Sequence, residues 1–567
     1  MTDTAEATEE APPQQEPPTH KPTWWQRHYT LTGTVLALVF LWLSLTPSLL
    51  PRGPLFQGLV SGAAGAIGYG IGVFLVWLVQ FMLSRDASPH APGWAWLAVV
   101  VVGIIGQILM IIYFHIWQDE VRDLNGVPRM SFWDHPLTAV ISIVVLFLFV
   151  EIGQLIGKLV KFLVRQLNRV APPRVSAVVV VVLLLALFIA LLNGIVVRAG
   201  MGYINRTFSA VNDETDPDFP APTSRLRSGG PDSLVTWESL GHQGRVFVSA
   251  GPSVDDLSKF NGKPAIEPIR AYAGLHSADG IKATAALAAE ELRAKGGLDR
   301  DVVAVATTTG TGWINEAEAA SLEYMYNGNT AIVSMQYSFL PSWLSFLVDK
   351  ENARQAGQAL FEAVDGLIRE MPEAQRPKLV VFGESLGSFG GEAPFLSLNN
   401  VIARTDGALY SGPTFNNTIW TDLTRNRDKD SPEWLPIYDK GEYARFVARP
   451  DNLDRPDNDP WEKPRVVYLQ HASDPIAWWN PDLLFAEPDW LKEPRGYDLS
   501  GRMQWIPVVT FLQVSADMAV AVDVPDGHGH VYVKDVANAW AAVLEPPGWT
   551  PEKTQRLRPL LSNDENA

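Results

Sequence analysis

The stretch Leu379-Val-Val-Phe-Gly-Glu-Ser-Leu-Gly-Ser-Phe-Gly390 sets a short apolar run directly before Gly383-x-Ser385-x-Gly387. A strand running into that pattern predicts a serine on a sharp strand-to-helix turn, with its hydroxyl lifted clear of a sheet. Gly383 and Gly387 suit such a turn, because a Cβ on either side of it would be crowded. The spacing alone is weak, and a glycine-rich strand-to-helix loop without chemistry is the plainer alternative. The apolar run before it and the helix expected after it favour the first reading, a serine nucleophile for acyl chemistry.

Working outward, the same alternation of strands and helices continues on both sides. Ile269–Ala273, Val302–Thr307, Ala331–Gln336 and Val466–Gln470 are predicted strands, as are Arg245–Ser249 and Val520–Val524. Helical patterns cover 281–295, 315–326, 353–370 and 535–544. Such alternation predicts a mostly parallel sheet with helices on both faces.

The amino-terminal part is different. Five apolar stretches, at 31–50, 55–83, 94–117, 137–157 and 176–198, each approach the roughly 20 helical residues that cross a bilayer core. The expected organisation is a disordered tail (1–28), a transmembrane helical domain (29–199), a linker (200–232), a globular domain (233–548) and a polar tail (549–567). Lys158, Lys161, Arg165, Arg169 and Arg174 follow the fourth stretch without an acid among them, which predicts a cytoplasmic loop. Five spans then place the amino terminus in the cytoplasm and the globular domain outside the cell membrane. Ala64, Gly68 and Gly72 form a small-residue stripe, read as bundle packing ahead of a dimer seam. Glu151 is an acid within a span, either functional or paired with Lys158 near the membrane surface.

Composition narrows the partners. A net charge of −17 over 567 residues argues against nucleic acid, which needs a basic face. Zero cysteines exclude a thiol nucleophile, disulfides and cysteine-held metal. No metal or organic cofactor is expected. The partners expected are the bilayer itself and a lipid or acyl-ester substrate.

A serine hydroxyl needs an adjacent base, and the globular part holds five histidines: His242, His276, His471, His528 and His530. In the order Ser…Asp/Glu…His the base follows the last strand, so His528 or His530 is expected, with His530 preferred because it closes the loop before the final helix. Asp474 follows the penultimate strand and is the expected acid, although Asp before Pro475 also suits a turn or helix cap. Oxyanion donors are expected from the N–H of Leu386 and from the Thr307–Trp313 loop, through Thr311 or Gly312. Two apolar inserts, Ser338–Leu347 and Ala477–Phe485, suggest a lid, an acyl groove or a membrane contact; a second hydrophobic layer is the alternative.

On Thr309-Gly-Thr-Gly-Trp313, Gly383–Gly390, Ser473-Asp-Pro475 and Gly527-His-Gly-His530, the chain resembles the actinobacterial membrane-anchored α/β-hydrolase family, which joins a multi-span region to a hydrolase domain. The resemblance implies acyl-ester chemistry at a cell envelope through a Ser-Asp-His triad. The expected activity is a serine esterase or lipase. An acyltransferase with the same residues and a non-catalytic lipid-binding scaffold are the rivals.

Overall fold

The computed structural model describes residues 28–83, 91–190, 208–341, 344–345, 349–457 and 459–561. The expected tail at 1–27, the end of the last apolar stretch at 191–198 and the start of the linker at 200–207 lie outside these residues.

The amino-terminal part is helical: α1 (Leu31–Leu43), α2 (Pro54–Met82), α3 (Gly93–Leu124), α4 (Asp134–Leu167) and α5 (Pro173–Ala190). Among the described residues, four helices, α2 to α5, are long and apolar enough to cross a membrane. The first of the five expected spans, 31–50, is not among them. Helix α1 has only 13 residues and stops at Ser44, because Pro47 lacks an amide hydrogen and disfavours helical geometry at Thr46.

The small-residue stripe packs within the bundle. A Cβ on Gly68 would stand 2.5 Å from the Leu36 carbonyl, and one on Gly72 would stand 2.7 Å from the Gly33 Cα. Thus the stripe lets α1 approach α2 closely. Glu151 on α4 accepts hydrogen bonds from the Tyr29 hydroxyl at 2.5 Å and from His28 Nε2 at 2.9 Å. These partners lie just before α1, so Glu151 ties α4 to the segment that leads into α1.

The second part is built on a seven-stranded sheet in the order β1-β3-β2-β4-β5-β7-β6, with every pair parallel. The strands are β1 (Ile269–Ala273), β2 (Val302–Thr307), β3 (Thr330–Met335), β4 (Lys378–Glu384), β5 (Gly407–Ser411), β6 (Ala444–Val447) and β7 (Arg465–Leu469). They are buried along nearly their whole length, as expected when helices cover both faces.

The helices that matter below are α6 (Gly241–Ser249), α7 (Ile281–Ala294), α8 (Glu316–Met325), α9 (Lys350–Arg369), α10 (Leu386–Glu392), α11 (Val509–Asp517), α12 (Val536–Leu544) and α13 (Pro551–Leu561). The connections β1-α7-β2, β3-α9-β4 and β4-α10-β5 advance one way across the sheet, while β2-α8-β3 steps back. Right-handed crossovers then put α8 on the face opposite α7, α9 and α10. The reversal falls between β2 and β4, and in open parallel sheets the crevice beyond the carboxyl ends of such strands is where ligands bind.

Several expectations give way here. Arg245–Ser249 lies in α6, not in a strand; its Arg245 guanidinium is held by the carbonyls of Asn212 and Glu214, a tertiary contact that overrides β-propensity. Val520–Val524 is not a strand either. It begins in a short 3-10 turn and continues as loop, with Val522 exposed. Strands β5 and β6 carry the sheet instead. The later part of the expected linker belongs to the domain: Ser228 bonds to both the backbone and Glu291, and Arg227 bonds to Glu267. The expected polar tail includes α13, whose Leu557 is fully buried.

Candidate functional site

Ser385 stands at the end of β4 with φ 57° and ψ −121°, a conformation that costs a non-glycine residue energy and recurs at functional sites. Its N–H donates to the Ser411 carbonyl at 2.9 Å, so the ladder with β5 runs into the turn. Both glycines are required by close approach. A Cβ on Gly383 would lie 2.6 Å from the Gly387 carbonyl, and one on Gly387 would lie 2.3 Å from the Thr307 carbonyl. Leu386 opens α10, so its N–H has no intrahelical acceptor.

His530 and Asp474 come together over the next strand ends. Nδ1 of His530 lies 2.7 Å from Asp474 Oδ2, and both side chains are buried. Asp474 also caps the following turn, its Oδ1 accepting from Ile476 N–H at 2.8 Å. The two readings of an aspartate before proline therefore hold at once. The imidazole lies against Gly412, where a Cβ would stand 2.5 Å from Cε1. Gly412 directly follows Ser411, the partner of the Ser385 amide, so the ring sits at the same sheet end as the serine. Among the described residues His530 Nε2 is buried without a hydrogen-bond partner, so the serine hydroxyl is not bonded to it in this structure. With Nδ1 facing a carboxylate, the neutral ring carries its proton there and presents Nε2 as an acceptor.

The other histidines go elsewhere. His528 Nδ1 pairs with Asp498 Oδ2 at 3.5 Å. His471 Nδ1 bonds to the Gly529 carbonyl at 2.9 Å, and its ring stacks on Tyr532 at 4.3 Å. His242 meets the carbonyl of Glu214.

Of the expected oxyanion loop, Gly312 is a turn residue at φ +92°. Its N–H is committed to the Thr309 carbonyl at 3.0 Å, and its own carbonyl receives the Tyr272 hydroxyl. The Thr311 carbonyl receives Gln336 Nε2. The loop backbone that touches the Ser385 turn is Thr307–Thr308, close to Gly387. Gly312 therefore serves the turn itself.

Three neighbours escaped sequence reasoning. The Tyr532 hydroxyl donates to Asp474 Oδ2 at 2.7 Å. Asn315 Nδ2 donates to Glu384 Oε2 at 2.5 Å and to the Tyr532 carbonyl at 2.9 Å. Glu318 accepts from the Ser411 hydroxyl at 2.5 Å. Glu384 was legible only as the variable residue before the serine, and Glu318 as one of many helix acids.

Electrostatics follow from this burial. Glu384 is pushed up to about 7 by desolvation, opposed by His530 and by the Asn315 hydrogen bond. Desolvation, then the neighbouring Glu384, hold Glu318 well above the usual carboxylate range. Burial alone would lower the His530 value, but the charge and hydrogen bond of Asp474 outweigh it and leave the imidazole above its ordinary value. Asp498 is held low despite burial, chiefly by His528.

The apolar inserts are mostly interior. Leu340, Leu344 and Ser345 are buried, the first and last of them close to Gly310, and Trp478, Leu483 and Trp490 form a second layer; residues 342–343 and 346–348 lie outside the described set. Phe485 is the exception, at 80% exposure. A cavity of about 250 Å³ lies behind the Asp474 turn, lined in part by Phe415, Trp420, Trp478 and Trp490. Among the described residues no cluster of three or more His, Cys, Asp or Glu could hold a metal ion.

Two family models match the sequence. One, described as an alpha/beta-hydrolase family, covers residues 269–557, and the other, described as the N-terminus of that family, covers residues 45–252. No curated protein and no solved structure matches the chain.

Proposed function

Since the chain belongs to the α/β-hydrolase family, we propose that it is a membrane-anchored serine hydrolase cleaving acyl esters of lipids or acylated envelope molecules. The observation that carries this reading is the buried His530–Asp474 pair, set at the same sheet end as a strained serine. Ser385 is the nucleophile. His530 Nε2 takes the proton of its hydroxyl as Oγ attacks the acyl carbonyl. Asp474 fixes the tautomer and stabilises the imidazolium; Tyr532 steadies the same carboxylate oxygen. The N–H of Leu386, at the start of α10, donates to the oxyanion, with a second donor from the Thr307–Trp313 loop. His530 then returns the proton to the leaving alcohol, and water, activated by the same imidazole, releases the acid.

Orientation is part of the proposal. The basic run from Lys158 to Arg174 lies at one end of the single helix α4 and beyond it. The α3–α4 turn, which contacts the hydrolase domain through Asn125, lies at the other end. A cytoplasmic basic end therefore puts the hydrolase domain on the far side of the membrane.

A fluorophosphonate probe followed by mass identification of the labelled peptide tests the assignment. Label on Ser385 in the full-length protein, lost in Ser385→Ala, is the expected result. A wild-type protein that takes no label, or takes it on another residue, overturns it.

A further inference from the structure

Beyond α1 the chain leaves the bundle and enters the hydrolase domain. Leu41 and Leu45 belong to the bundle core, whereas Leu49 and Leu50 are fully buried in the core that contains the sheet. Polar contacts fix this segment to α11. Asp517 accepts from the Ser48 hydroxyl and from Leu49 N–H at 3.1 Å, and pairs with Arg52 at 3.5 Å. Arg52 donates to the Gln513 carbonyl at 3.1 Å, and Gln513 Nε2 donates back to the carbonyls of Ser44 and Thr46 at 3.1 and 2.9 Å. Arg52, Gln513 and Asp517 are fully buried.

What this clamp holds is the loop that carries His530. From Asp517 the chain turns through Met518–Val520 to Ala521, whose carbonyl accepts the His530 N–H at 2.8 Å. A Cβ on Gly529 would stand 2.6 Å from that same carbonyl and 3.5 Å from Leu50 Cδ1. A second route starts at the α3–α4 turn. Asn125 Nδ2 donates to the Asp498 carbonyl at 3.3 Å, and Asp498 accepts from Ser473, the neighbour of Asp474. The Ser473 hydroxyl in turn accepts the Gly529 N–H at 2.8 Å. Both loops of the His530–Asp474 pair thus rest on residues of the membrane part. The 518–530 loop needs such support, because Gly527 and Gly529 leave it little intrinsic stiffness.

We propose that the membrane region is a working part of the site: Leu50 and the Arg52–Asp517 pair are positioning residues that set His530 against Asp474 and Ser385. The proposal rests on the assignment of Ser385 and His530 above.

The test uses full-length Leu50→Ala, Leu50→Met and Asp517→Asn proteins. It follows the rate of fluorophosphonate labelling against pH, the melting temperature, and hydrogen exchange of the amides in 521–530. Leu50→Ala is expected to label about 10- to 100-fold more slowly, the scale of a misplaced reacting group. Its rising pH limb moves to lower pH, because a displaced His530 loses part of the Asp474 contact that keeps its proton affinity high. Amides in 521–530 exchange faster while β4 and β5 stay protected, Asp517→Asn changes in the same direction, and Leu50→Met stays near wild type. Labelling at the wild-type rate with an unmoved limb overturns the proposal, as does a loss that merely tracks the unfolded fraction. A wild-type protein that takes no label defeats the Ser385 assignment separately. The exchange data then still decide, since unchanged protection of 521–530 in Leu50→Ala means that Leu50 does not hold the loop.

Discussion

The Ser385 turn and the His530 loop meet at one sheet end but are held there by different means. The turn is made by its own neighbours: β4 before it, α10 after it, and two glycines that let the backbone fold against Thr307. The loop has almost no regular structure of its own. Apart from its own Ala521, it is fixed by Asp474, Ser473 and Leu50, residues drawn from distant parts of the chain. Geometry made locally is stiff whatever surrounds it, whereas geometry made by contact can be loosened one partner at a time.

Substitutions can break this contrast or sharpen it. Gly387→Val is the harshest: a branched side chain directed at the Thr307 carbonyl should cost about 3 kcal/mol or more, read as loss of cooperative melting or of expression. Ser385→Ala should abolish probe labelling while shifting stability by less than about 1 kcal/mol, because one hydroxyl leaves and the backbone stays. Asp474→Asn acts on the loop side and should lower the labelling rate about 10³- to 10⁴-fold, by presenting the wrong imidazole tautomer. Tyr532→Phe removes one hydrogen bond of about 1 kcal/mol to the same carboxylate and should slow labelling several-fold.

The gentlest change is Glu384→Gln. Its carboxyl is protonated in both states below its ordinary value of 4.5. Between there and about 7 the unfolded chain gives up the proton while the folded chain keeps it, so stability falls as pH rises. The glutamine variant should therefore match wild type at pH 4.5 and melt slightly higher at pH 8. Glu384 also helps to raise the His530 proton affinity, so its removal should move the rising limb of activity to lower pH. A limb that moves upward would show that the carboxyl acts on the imidazole other than through its charge.

The same division decides what could be read from the sequence. The serine turn was legible because its constraints are local, and the strands from Ile269, Val302, Thr330, Lys378 and Arg465 were legible as apolar runs. Strands β5 and β6 escaped because they are short and irregular in pattern, Gly407–Ser411 and Ala444–Val447. Val520–Val524 misled by its β-branched alternation, since nothing in those five residues says that Asp517, just before them, is drawn to Arg52. Tyr532, Asn315 and Glu318 reach the site through folding alone. The spacing of their codes carries no sign of it.

Ser48 and Asp517 lie 469 positions apart. During synthesis the first of them is made well before its partner, so Leu49 and Leu50 must wait, unburied, until α11 has followed. A loop of that span costs only slightly more to close than one half as long. A product cut short before Asp517 would lack the docking site and the base together. The order of translation thus withholds the assembled sheet end until both partners have been made.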